Sequence, residues 1–285
     1  LLWQARPGVR HPKKVGKHTL ANTLSNSPRL MEQVRERIRV KHCSLRTEEA
    51  YLGWIRQFIH FHVKRHPKDM GKQEVEAFLT HLAVARRVAA ATQSQAKSAL
   101  LFLYKEVLRI DLPWLNDLVA AKQPKRLPVV LTQHEVGQLL SLMQGTWGLL
   151  ARLLYGTGMR VMEGLRLRVQ DIDFNRRELV IREGKGFKDR VTMLPASLVQ
   201  PLQQHLLKVR QLHQRDLEEG FGEVFLPYAL ARKYPQASRA WGWQYVFPSV
   251  RLSADPRDGV IKRHHLDEKG LQRALKVAVR AAGLV

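Results

Sequence analysis

The sequence predicts a mainly α-helical chain with one small β-sheet, an α+β protein in two domains. Three observations carry this. Apolar residues recur at helical spacing over residues 28–121. A basic, proline-bearing stretch follows at 122–130. Beyond residue 131 the helical period gives way once, over 178–194, to alternation. Helix faces repeat every three or four residues and strand faces every second one, so the change of period marks the sheet. At 285 residues, the chain is long enough for two ordinary domains.

The first domain reads as four helices. Leu30, Val34 and Ile38 give the first. Thr47 followed by Glu48 and Glu49 suits the start of a second, which continues through Leu52, Ile55 and Ile59. Val75, Phe78, Leu79 and Leu82 give a third. Thr92 with Gln95 has capping-box spacing and opens a fourth, through Leu100, Leu103 and Val107. Short connections predict a compact bundle over 28–121. Residues 1–27 are basic and punctuated by Pro, Gly and Asn, and are expected to be a disordered or non-native extension. Residues 122–130 read as an interdomain linker whose charges, Lys125 and Arg126 among them, suit a phosphate backbone.

The second domain, 131–285, opens with another capping box, Thr132 and Glu135. An apolar helix over Trp147–Tyr155 is stopped by Gly156-Thr157-Gly158, and a short helix after Arg160 carries Val161, Leu165 and Leu167. Glu178–Glu183 and Arg190–Leu194 read as a strand hairpin, Pro195–Glu219 as a helix, Tyr228–His265 as irregular, and Glu268–Ala282 as a final amphipathic helix capped by Gly283.

Charge narrows the function. Forty-eight Lys and Arg face 25 Asp and Glu, a formal +23, which predicts a polyanionic partner, DNA or RNA. No apolar run approaches the length of a membrane span. One cysteine, Cys43, builds neither a disulfide framework nor a cysteine metal site. His62 and His66 have a spacing that suits zinc, but no third ligand accompanies them, so a basic nucleic-acid face is favoured and no metal or other cofactor is expected.

Two short segments carry candidate chemistry. In Gly156-Thr157-Gly158-Met159-Arg160, the glycine break frees Arg160 from a helix interior, and Glu163, one turn on, can hold its guanidinium. A guanidinium fork at a helix start is a good phosphate ligand. The competing reading is a surface arginine at an ordinary turn. In Gly184-Lys185-Gly186-Phe187-Lys188, glycines on both sides let the backbone at Lys185 approach a ligand. The competing reading is a nonspecific phosphate contact by Lys185 and Lys188.

Taken together these segments resemble the tyrosine recombinase (phage integrase) family, in which Gly-Thr-Gly-x-Arg-x-x-Glu supplies a catalytic arginine and Gly-Lys-Gly-x-Lys a catalytic lysine. Leu45 to Tyr51, Asp111 to Trp114, Arg126 to Thr132 and an insertion over about 227–266 look like the integron-integrase type. The resemblance implies a helical core-binding domain followed by a catalytic domain, forming a C-shaped clamp on DNA. It implies that a tyrosine attacks a DNA phosphate to form a covalent phosphotyrosine. Arg160 would stabilise charge on the non-bridging oxygens and Lys185 would protonate the leaving oxygen. Trp243, Pro256, His264 and His265 match base-contacting positions of the insertion, and Arg263 is a backbone candidate beside them. Core packing is the competing role for Trp241 and Trp243, and a solvated loop for His264 and His265. The implied partners are DNA, including folded single-stranded hairpins with extrahelical bases, and three further copies in a homotetramer. No small-molecule substrate is implied, and the place of action is the bacterial cytoplasm, at the nucleoid.

The sequence departs from the family pattern in one respect. No His-x-x-Arg follows Lys185, and the one instance, His62-Val63-Lys64-Arg65, falls in the first domain. Tyrosines 51, 104, 155, 228, 234 and 245 all lack the family context. The expectation is a C-terminally truncated chain that binds DNA and does not cleave it. The alternative is a noncatalytic DNA-binding protein derived from a recombinase.

Overall fold

The computed structural model describes residues 29–110, 129–182 and 189–284. The linker, the extension and the hairpin tip with Lys125, Arg126, Lys185 and Lys188 lie outside the described residues. The chain divides into two units, Leu1–Leu127 and Pro128–Val285, each treated by itself.

The first unit is a helical bundle: α1 (Leu30–Val40), α2 (Leu45–Phe61), α3 (Lys72–Val84) and α4 (Ala90–Phe102). Their apolar faces meet around Phe58, which is fully buried with Val34, Ile38, Ile55, Val75 and Leu100. Phe78 and Tyr104 meet the Phe58 ring edge-on, at 5.5 and 6.4 Å between centroids, an arrangement aromatic pairs favour. The buried Tyr104 hydroxyl donates to the Met70 carbonyl.

Two helix starts differ from the sequence reading. Helix α2 begins three residues early because the Ser44 hydroxyl accepts from the Thr47 amide at 3.1 Å. Helix α4 begins at Ala90 without a side-chain cap, so Thr92 lies inside it, and the Gln95 side chain instead accepts from Trp54 Nε1 at 3.1 Å. Helix α4 continues into a π-helical turn, Leu103–Leu108, ended by Arg109 at φ +57°.

The second unit places a three-stranded antiparallel sheet among helices. Helices α5 (Gln133–Leu142), α6 (Gly145–Thr157) and α7 (Val161–Leu165) precede strands β1 (Ile172–Asp173), β2 (Glu178–Ile181) and β3 (Arg190–Met193). Helices α8 (Ala196–Glu218) and α9 (Tyr228–Lys233), strands β4 (Ser253–Ala254) and β5 (Ile261–Lys262), and helix α10 (Glu268–Ala281) follow. The Thr132–Glu135 capping box forms as the spacing indicates, with Thr132 N donating to Glu135 at 2.7 Å. Strand β1 was not legible because two residues show no period. Leu150, Leu153, Leu165, Leu179, Leu202, Val246 and Phe247 fill one core shared by helices and sheet.

The β2–β3 register pairs Leu179 with Thr192 and Ile181 with Arg190. Residues two apart share a face, so Arg190 and Thr192 stand on the face that buries Leu179 and Ile181. Val191 and Met193 lie on the other face, exposed. This register fixes the candidate site.

Candidate active site

Helix α6 runs through Gly156 and Thr157, and the break is Gly158 alone, at φ +65°. That left-handed conformation is open to glycine at no steric cost. A Cβ on Gly156 would stand 2.8 Å from Pro195 Cγ, so glycine lets the last turn of α6 lie against the β3–α8 junction. The Thr192 hydroxyl donates to the Thr157 carbonyl at 3.3 Å, tying the same turn to β3. The chain then re-enters a helix with Arg160 as the residue before its first turn. Leu167 falls outside this helix, which ends at Leu165.

Glu163 organises what surrounds Arg160. Its carboxylate accepts from Arg160 N at 2.9 Å and from Arg160 Nη1 at 2.8 Å. It also accepts a fork from Arg190, Nη1 at 3.1 Å and Nη2 at 2.8 Å. The Glu163 side chain is 7% exposed and that of Arg160 57% exposed. The Arg190 guanidinium, foremost, and then the Arg160 amide and side chain pull the Glu163 pKa from 4.5 to about 2, against the opposing effect of burial. The carboxylate is therefore charged wherever the protein works. Sequence reasoning passed over Arg190, since a charged residue opening a strand reads as solvent-facing.

The sign of this shift gives a prediction. A depressed folded-state pKa stabilises the protein above the unfolded value, and that contribution is lost as pH falls from about 4.5 to about 2. Glu163→Gln should be less stable than the parent at pH 7, and the gap should close steadily through that window. Denaturant unfolding of both proteins along a pH series checks this. A gap that does not change on acidification contradicts the assignment.

The insertion expected over 227–266 is more ordered than its sequence indicates. Segment 244–248 lies between two others, with Val246 N donating to Leu167 O at 2.9 Å and Leu266 N to Phe247 O at 2.8 Å. Arg168 fastens it. Its Nη1 donates to Trp243 O at 2.6 Å, its Nη2 to Phe225 O at 2.8 Å, and its guanidinium lies 3.9 Å over the Tyr245 ring. Buried Gln244 donates to the carbonyls of Gly222, Ser238 and Ala240. Arg168 and Gln244 were not singled out from sequence. The Arg168-x-x-Asp171 spacing, where Asp171 accepts from Arg168 N at 3.1 Å, was the available signal.

The proposed base-contacting residues fall in different settings. Trp241 packs against the main core, and half-buried Trp243 against a smaller cluster of Val224, Leu226 and Tyr245. Pro256 is exposed in the turn between β4 and β5. His265 is half-buried, meets Tyr245 edge-on and donates from Nδ1 to Leu266 O at 2.7 Å. His264 is half-buried, and its buried Nε2 has no hydrogen-bond partner among the described residues. Burial lowers both imidazole pKa values, which favours the neutral form of each ring.

Arg263 corrects an expectation. Its side chain is 9% exposed, forked onto Asp216, and donates from Nη1 to Ser249 O at 2.8 Å. Lys262 is likewise buried, between Asp255 and Asp258. These cations hold the insertion together from within and do not present themselves to a DNA backbone. An arginine in a loop reads as exposed from sequence, because its acid partner lies 47 residues away on α8. In the first unit, His62 Nε2 donates to Glu74 O and His66 Nδ1 accepts from Lys68 N, so both imidazoles serve local structure.

A helical bundle is thus followed by an α+β unit in which one buried glutamate holds both an exposed arginine and the first residue of β3. Residues 30–114 match the phage integrase N-terminal SAM-like domain and residues 129–285 match the phage integrase family. The chain belongs to that family, the tyrosine recombinases. It is 50% identical over 258 residues to an integrase/recombinase of Escherichia coli, covering 90% of this chain and 77% of the relative. It is 32% identical over 185 residues to the tyrosine recombinase XerA of Thermococcus onnurineus, covering 62% of this chain and 63% of that one. The fold is similar to XerH bound to its difH substrate, with a TM-score of 0.54 at 17% identity over 90% of this chain and 69% of that one. It is also similar to a lambda integrase dimer bound to a core site, with a TM-score of 0.55 at 16% identity over 90% and 78%.

Proposed function

We propose that this chain recognises DNA as an integron-type tyrosine recombinase, acting on folded single-stranded hairpin sites through the insertion. Site-specific recombination follows from the family. The observation that supports the finer reading is the insertion itself, a fastened layer that carries Trp243, Pro256, His264 and His265 beside the catalytic unit's core. An unpaired base offers a π-face to Trp243, and stacking contributes about 1–3 kcal/mol per base. His264 reaches a base edge only if its ring turns, since its Nε2 is buried. Arg160 is the phosphate ligand: among the described residues only its Nη1 has a protein acceptor, which leaves its other donors for a scissile phosphate. Lys185 is assigned the general acid, and Lys125, Arg126 and Lys188 the DNA backbone. Four copies on paired sites would complete recombination, in the bacterial cytoplasm at the nucleoid.

Residues 1–285 hold the arginine and lysine of the site and no tyrosine behind a His-x-x-Arg box. A DNA-binding protein of the same fold that does not receive extrahelical bases would bind matched duplex as well as any hairpin, so one comparison tests the hairpin reading. An extrahelical base avoids the few kcal/mol of unstacking and unpairing. The chain should bind a bulged hairpin at least about tenfold more tightly than a matched duplex of equal length. Equal affinities in titrations at one salt concentration contradict the hairpin reading.

A further inference from the structure

We propose that Arg190 is a positioning residue that ties strand β3 to Arg160 through Glu163. The inference rests on the reading of Arg160 as phosphate ligand. Three observations carry it. Both terminal nitrogens of Arg190 are engaged by Glu163, whereas among the described residues Arg160 gives Glu163 only one of its side-chain nitrogens. Arg190 is thus the anchored partner and Arg160 the one with donors to offer a ligand.

The second observation is the register. Ile181 and Arg190 form the last pair of the β2–β3 ladder, so the connection that carries Lys185 departs from Arg190 itself. The third is Thr192, two residues on and on the same face, which holds the end of α6 just before Arg160. Strand β3 therefore grips the Arg160 turn twice, once through backbone and once through Glu163. The carboxylate cannot turn toward one arginine without breaking a bond to the other. The position of Arg160 is in this way set by strand β3.

The test uses the chain as it stands. A bulged DNA hairpin is prepared with one phosphate at a time replaced by an uncharged methylphosphonate, and each is titrated at fixed salt. The wild type should lose about tenfold in affinity at the phosphate that Arg160 holds, the scale of one charge-assisted hydrogen bond. Arg160→Ala should no longer respond there. Arg190→Gln should also become insensitive there, to within about twofold, while it keeps the wild-type response at every other phosphate. Arg190→Lys keeps the charge but loses the fork, so its sensitivity should fall between wild type and Arg160→Ala. This variant carries the test if Arg190→Gln does not fold.

Wild-type sensitivity in the Arg190 variants overturns the proposal. So does a response lost at a different phosphate, which would make Arg190 a DNA ligand itself, and so does an equal loss at all phosphates, which would make it a general structural residue. If wild type and Arg160→Ala respond alike everywhere, it is the phosphate-ligand reading of Arg160 that fails, and the coupling falls with it.

Discussion

Raising monovalent salt from 50 to 200 mM should lower the affinity of this chain for duplex DNA by about 10³–10⁵-fold, given about 6–10 phosphate contacts. Each Lys or Arg that neutralises a phosphate releases condensed counterions, so the logarithm of affinity falls linearly with that of salt. The formal charge of +23 permits this many contacts, but charge alone does not ensure them. Several cations are occupied internally: Arg263 by Asp216, Lys262 by Asp255 and Asp258, and Arg35 and Arg39 by Glu48. Enough remain outside. Lys269, Arg273, Lys276 and Arg280 recur along α10 at helical spacing and are exposed, while Leu271 and Ala278 of the same helix face the core. The slope measured in a salt series counts the contacts directly. A nearly flat response would contradict backbone binding by exposed cations.

The helical elements were legible because each has an apolar stripe long enough to show its period, as in Leu52, Ile55 and Phe58 of α2. The hairpin was legible from four-residue alternation on either side of a glycine-rich connection. Arg160 and Glu163 could be read together because they are three residues apart, a distance that local geometry closes without help. Arg190 could not. It lies 27 residues from Glu163, and only the β2–β3 register and the seat of α6 against Pro195 bring the two together. The same limit explains Arg263. Its burial depends on Asp216, a residue that on α8 reads as one more polar position.

Segment 227–266 shows a further limit. Its sequence has no sustained period, and its order comes from Arg168 and Gln244, which reach carbonyls of several loops at once. Backbone carbonyls carry no sequence signature, so such anchors are invisible until the loops are placed. The aromatic residues alone could not decide between core and platform. In the structure both are packed, but on different clusters, Trp241 on the main core and Trp243 on the smaller one.

That division makes Trp243 the residue on which the account of substrate form turns. Stacking of one unpaired base on an indole is worth about 1–3 kcal/mol, or about 5–150-fold in affinity. Duplex binding rests mainly on phosphate contacts by Lys and Arg. Its half-buried ring also packs beside Tyr245, so truncation carries a stability cost that acts on every DNA alike. Only a difference between two DNAs isolates the base contact. The decisive measurement is the affinity of wild type and Trp243→Ala for a bulged hairpin and for its matched duplex, all at one salt concentration. The account predicts that the wild type prefers the hairpin, and that Trp243→Ala loses most of that preference with duplex affinity nearly unchanged. Equal losses on both DNAs would make Trp243 a packing residue and contradict the reading of the insertion as a receiver of extrahelical bases.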